Sequence, residues 1–203
     1  PEPADRAGRR GGPLPGEHMV LDALAAAAVG MYFGLTPGEI AQGIRRVQNV
    51  KGRGDVIEFP FCRVIDGSYN ANPGSMEAAI DILTLAFERK AALLGDMLEL
   101  GEETAALHEE VGIYAVDQKI DVLVCVGTLS RPMYEAARAH AAKNGDRNRT
   151  EIFYFEGLEE MIKELPGILR KGDAVLVKAS HAMGFEKVVE WLGQSERPTP
   201  EKN

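Results

Sequence analysis

Val122-Leu123-Val124-Cys125-Val126-Gly127-Thr128 is the stretch on which the fold turns. Its apolar run has no polar alternation, so a strand formed there must be covered on both faces, as central strands of parallel sheets are. Gly127 ends the run. The same pattern returns at Val175-Leu176-Val177 near the end of the chain. Outward from these strands, at 122–126 and 174–177, further β-like runs at 56–59, 63–66, 90–94 and 152–155 alternate with helical periodicity at 74–87, 104–118, 131–143, 158–165 and 185–192. Met76, Ala79, Ile80, Leu83 and Phe87 recur at helical spacing, as do Leu107, Val111, Tyr114 and Ala115. This alternation predicts an α/β fold, a Rossmann-like, doubly wound, mostly parallel sheet.

Residues 16–50 follow a different pattern. Helices are predicted at 18–33 and 36–47, separated by Gly34, with Thr36 capping the second and Pro37 in its first turn. Two helices of this length cannot bury both their apolar faces against each other. They are expected to be the edge of another domain, with Lys51-Gly52-Arg53-Gly54 as a hinge. Residues 1–15, rich in Pro, Gly and Arg without apolar periodicity, are expected to form a disordered lead. The expected division is a lead at 1–15, a two-helix remnant at 16–50 and the main domain at 53–197. The chain opens on Pro1 rather than Met, and further sequence upstream is expected.

A formal net charge of -8 argues against a nucleic-acid partner or a membrane surface, since binding polyanions takes clustered Lys and Arg on one face. The longest apolar stretch, 21–35, is interrupted by Asp22, Gly30 and Gly34 and falls short of the roughly 20 residues a membrane span needs. Cys62 and Cys125 lie in strand-like apolar runs, where a free Cys behaves as a small hydrophobe, and a reducing cytoplasm fits. No Cys or His pair has metal-ligand spacing, so no metal site is expected from this chain. Neither G-x-x-x-x-G-K-[ST] nor G-x-G-x-x-G occurs.

In a doubly wound sheet, ligands bind outside the carboxyl ends of the strands. Asp66-Gly67-Ser68-Tyr69-Asn70-Ala71-Asn72-Pro73, Gly95-Asp96-Met97-Leu98-Glu99-Leu100-Gly101, Gly127-Thr128 and Lys178-Ala179-Ser180-His181 all follow strands and should open onto one edge. Each has a plain structural explanation beside a functional one. Asn72 and Pro73 can cap and start the next helix, while Asp66 can end a strand or accept from a sugar hydroxyl, with Tyr69 facing a polar ligand. Asp96 and Glu99 can be solvated turn residues or can attract an ammonium group. Lys178 can snorkel at a sheet edge or hold a carboxylate or phosphate oxygen.

Taken in order, these loops resemble the Mur ligases. The 66–75 segment is similar to the D-x-Y-N-A-N-P-x-S sequence of the branch that adds D-alanyl-D-alanine. Leu94 to Gly101 followed by His108 matches L-G-D-M-x-E-L-G…H, and Leu176-Val177-Lys178-Ala179-Ser180 is similar to L-V-K-G-S. Gly16-Glu17-His18 and Ala23-Leu24-Ala25-Ala26 look like G-x-H-N-x-x-N-A-L-A-A, the helix ending the family's central ATPase domain.

The resemblance implies a ligase that uses ATP and Mg²⁺ to activate the carboxylate of UDP-MurNAc-tripeptide as an acyl phosphate, which the amine of D-alanyl-D-alanine then attacks. It implies nucleotide contacts at His18, Asp22, Arg53, Asp66, Tyr69 and Asn72, and amino-substrate contacts at Asp96, Glu99, Lys178 and Ser180. A cytoplasmic bacterial monomer is expected, inactive without its N-terminal and central domains. The sequence departs from the pattern where the two Asn of the central-domain helix are Met19 and Asp22, and where the Arg of K-G-S-R is His181. An Asn amide can both donate to and accept from adenine, whereas an ionised Asp only accepts. Two other readings stand beside this one: a sibling ligase of folylpolyglutamate type, and a non-catalytic module binding a nucleotide or a partner.

Overall fold

The computed structural model describes residues 17–47, 51–143 and 150–194, and the side chains from Val20 onward. The expected disordered lead at 1–15 lies outside the described residues. Helices α1 (Glu17–Tyr32) and α2 (Pro37–Arg45) form a hairpin. Thr36 caps α2 in a reciprocal capping box with Glu39, and Pro37 opens its first turn, as the sequence predicts. Gly34, at φ +81°, supplies the left-handed turn that a side chain would resist. Leu21, Leu24, Met31, Tyr32 and Phe33 remain exposed. The hairpin thus carries an apolar surface it cannot bury by itself.

A six-stranded sheet follows, in the order β1-β2-β6-β3-β4-β5. The strands are β1 (Asp55–Glu58), β2 (Arg63–Gly67), β3 (Lys90–Gly95), β4 (Val122–Val126), β5 (Glu151–Phe155) and β6 (Ala174–Lys178). Only β1 runs antiparallel, against β2; the other pairings are parallel. Every residue of β4 and β6 is buried. On one face Val64, Leu93, Val124 and Val177 meet α6 (Leu158–Ile168) and α7 (Glu186–Leu192). On the other, Ile65, Leu94, Cys125 and Leu176 meet α3 (Pro73–Thr84), α4 (Thr104–Asp117) and α5 (Arg131–Lys143). Alternate residues of each strand feed alternate cores, which is why these strands needed apolar residues throughout. Cys62 and Cys125 are free and buried, and burial pushes the Cys125 thiol above its usual range.

Two boundaries differ from the periodicity. Helix α3 ends at Thr84 because Leu85 and Ala86 donate to Ile82 and Leu83 carbonyls, tightening the last turn. Phe87 is consequently outside the helix and fully exposed rather than on its buried face. Helix α6, expected over 158–165, passes through Pro166 and runs to Ile168; the proline removes one donor from the last turn while Leu165 and Ile168 stay buried.

The amino end of the sheet is tied by ion pairs: Arg89 donates to Asp173 and Glu151, both at 3.0 Å, and Lys90 N–H donates to the Asp121 carboxylate. The carboxyl end is built differently, from loops bonded to one another.

Helices α4 and α5 pack closely because Gly112 lies against the Met133 carbonyl, which a Cβ would strike. Gly112→Ala should lower the unfolding free energy by about 1–2 kcal/mol, because overpacking costs about 1–3 kcal/mol while alanine's helix preference offsets at most about 1. Urea unfolding checks this, and an unchanged midpoint would show that the two helices separate freely.

Candidate functional site at the carboxyl edge

Parallel pairing places the ends of β2, β6, β3 and β4 side by side, with Gly67 opposite Lys178, Lys178 opposite Leu94, and Gly95 opposite Val126. The loops singled out in the sequence therefore share one edge. Lys178 is 7% exposed, with its stem lying over Gly67. Its Nζ donates to the Asn70 carbonyl at 2.7 Å. Burial, and then the charge of Arg53, lowers the Lys178 pKa to about 8. The Arg53 guanidinium lies 4.4 Å from the Tyr69 ring centre, and Tyr69 in turn lies 5.6 Å from the His181 ring. Arg53, Tyr69, His181 and Lys178 are thus brought into one cluster, cationic on a chain of net charge -8.

Asp66 is buried at the end of β2, and its Oδ1 accepts from Ser68 N–H at 3.1 Å and Ser68 Oγ at 2.6 Å. That turn shapes the loop carrying Tyr69. Asp66 also borders a cavity of about 340 Å³ between β1 and α7, lined by Lys51, Ile57, Phe59, Glu186, Val189 and Glu190. Asn72 is the N-cap of α3, exchanging hydrogen bonds with Ser75.

The loop after β3 makes contacts in several directions. Asp96 Oδ1 accepts from Ser130 N–H and Oγ, both at 2.7 Å, and its Oδ2 lies beside Gly127. The Ser130 carbonyl accepts the first bond of α5, so Asp96 places a carboxylate at that helix's positive end. Gly127, at φ +109°, leaves the room this carboxylate occupies. Ser180 N–H donates to the Asp96 carbonyl at 3.0 Å, and Leu98 N–H donates to Ser180 Oγ at 2.9 Å. Glu99 is exposed, with φ +64°.

Asp22 is an exposed residue of α1 and joins none of these contacts among the described residues. His18 lies in α1, but its side chain is outside those described. Ser130 was not singled out from the sequence, although a Ser directly before an apolar-periodic segment is an N-cap signal. His181 entered only as a departure and is found beside Tyr69, its ring tilted by 39° to the tyrosine's.

A doubly wound α/β domain with its polar groups collected on the carboxyl edge is the class these features define. The chain belongs to the Mur ligase, glutamate ligase domain family, whose model matches residues 36–181. It is 35% identical over 187 residues to the UDP-N-acetylmuramoyl-tripeptide--D-alanyl-D-alanine ligase of Bacillus subtilis, covering 90% of this chain and 39% of that enzyme. It is similar to MurF from Acinetobacter baumannii, with a TM-score of 0.76 and 27% identity over 88% of this chain and 38% of that one. It is likewise similar to MurF from Thermotoga maritima, solved in complex with ADP, with a TM-score of 0.69 and 28% identity over 88% of this chain and 38% of that one. The chain therefore spans about two fifths of the length of these relatives.

Lys178 should titrate near pH 8, against the ordinary 10.5. Between those values the unfolded chain binds more protons than the folded one, so this residue makes stability rise with pH across that window. Arg53→Ala should move the Lys178 titration upward but not back to the ordinary value, because burial remains the larger cause. Nζ-detected NMR titration reads both, and a Lys178 titration unmoved by Arg53→Ala would remove the coupling.

Proposed function

We propose that this chain is the carboxyl-terminal part of an ATP-dependent ligase that joins D-alanyl-D-alanine to UDP-MurNAc-tripeptide in the bacterial cytoplasm. The observation that carries it is the conjunction of 35% identity to such a ligase with the motif loops collected on one sheet edge. In this proposal residues 16–50 close a central ATPase domain, and 53–197 form the domain that covers the reaction. ATP, when bound, supplies activation of the tripeptide carboxylate. The residues present fit an anionic ligand in that Arg53 and Lys178 offer two cations at the carboxyl edge. Arg53 would meet phosphate oxygens, Tyr69 would present its ring, and Asp66 would accept from the ribose. Mg²⁺ is assigned to the upstream domain, as the resemblance to the Mur ligases implies.

For the dipeptide, opposite charges are needed at its two ends. Lys178, protonated for the most part at neutral pH, suits the carboxylate. Glu99 is the exposed carboxylate suited to the ammonium, while Asp96 and Ser180 hold the surrounding loops. Excluding water around these groups would strengthen each interaction.

The test is a chimera in which residues 16–194 replace the matching part of the Bacillus subtilis relative, with that enzyme as the control. ADP release should require both the tripeptide and D-alanyl-D-alanine, and the 203-residue chain alone should be inactive. Glu99→Gln should raise KM for the dipeptide about tenfold, the scale of one charged hydrogen bond. Ligation by the isolated chain, or a chimera indifferent to the dipeptide, would overturn the proposal.

A further inference from the structure

His108 is wholly buried on α4, and the reaction as proposed makes no use of it. Met97 N–H donates to its Nε2 at 3.0 Å, while its Nδ1 lies 2.7 Å from the Thr104 carbonyl. An amide can only donate and a carbonyl can only accept, so these neighbours permit one form of the ring: neutral, with its proton on Nδ1 and a lone pair on Nε2. The ring bridges the first turn of α4 to the loop after β3.

The held loop is backbone-strained. Two residues beyond Met97, Glu99 takes φ +64°, a left-handed conformation that persists in a non-glycine residue only where its surroundings over-determine it. Two main-chain donors immediately before Glu99 are pinned: Met97 by His108 Nε2, and Leu98 by Ser180 Oγ. The Met97 side chain is itself buried in the core shared with α3, α4 and α5. Of the two pins, His108 comes from α4, whereas Ser180 follows β6 and is bonded to the Asp96 carbonyl as well.

We propose that His108, as this neutral tautomer, is a positioning residue that holds loop 97–101 and so presents Glu99 to the amino substrate. It touches no substrate. The substrate half of the inference rests on the proposed ligase function; the tautomer and the loop do not.

The two halves are tested separately. In the 203-residue chain, long-range proton–nitrogen NMR should show His108 protonated at Nδ1 and bare at Nε2. Met97 and Leu98 amides should exchange about tenfold faster in His108→Ala, the effect of losing one hydrogen bond. His108→Gln, whose side-chain amide can both accept and donate, should restore part of that protection and guards against a variant that fails to fold. A ring protonated at Nε2, or amides equally protected in His108→Ala, would overturn the latch.

In the chimera, His108→Ala should raise KM for D-alanyl-D-alanine several-fold while leaving KM for ATP within about twofold, with His108→Gln closer to the parent. Equal changes in both constants would reduce His108 to general support of the fold and overturn the positioning role. A chimera inactive with His108 in place would count against the ligase function, and the latch would still be decided by the NMR result.

Discussion

The hydrogen bonds that the loop after β3 makes with its neighbours are the constraint on which the carboxyl edge depends. Asp96 reaches forward to Ser130 at the start of α5, its carbonyl and Leu98 reach sideways to Ser180 after β6, and Met97 reaches back to His108 on α4. Lys178 extends the chain of bonds to Asn70 in the loop after β2. Separate loops would each lose conformational entropy on binding a ligand. Bonded to one another, they have lost it during folding, which is the physical content of preorganisation.

The same arrangement concentrates charge. The chain is acidic overall, yet Arg53 and His181 flank one tyrosine and Lys178 lies close enough to feel the Arg53 charge. Lys178 bears the cost of this crowding in its lowered proton affinity. Desolvation and like-charge repulsion from Arg53 both oppose its charged form, and the hydrogen bond to the Asn70 carbonyl supports it. The amino end, by contrast, satisfies its charges internally through Arg89, Asp173 and Glu151.

Much of the architecture was legible because the relevant signals are local. Unbroken apolar runs at 122–126 and 174–177 required cover on both faces, and the cap residues Thr36 and Asn72 lie beside the helices they start. Phe87 misled for a local reason too, because periodicity does not register a tightened last turn, and the helix expected to end at 165 runs on through Pro166 to Ile168. The site was legible as a set of loops and not as a set of bonds. Asp96 meets Ser130 across 34 positions and Lys178 meets Asn70 across 108, separations over which no sequence spacing carries information. Asp96, read either as a solvated turn residue or as an amino-substrate contact, has one oxygen committed to a helix end.

The Lys51–Gly54 segment, read from sequence as a hinge, is fastened to the sheet. Gly54 N–H donates to the Asp66 carbonyl and Tyr69 N–H donates to the Gly52 carbonyl, so Arg53 is held between two anchor points on β2 and its following loop. Any pivot between the helical hairpin and the sheet consequently has its fulcrum on the amino side of Gly52. Arg53 and Lys178 then ride on the same side of that fulcrum, and a rotation sweeps both through one arc without changing their spacing. The distance between the two cations is thus set by the fold of the sheet and not by the angle the hairpin makes with it.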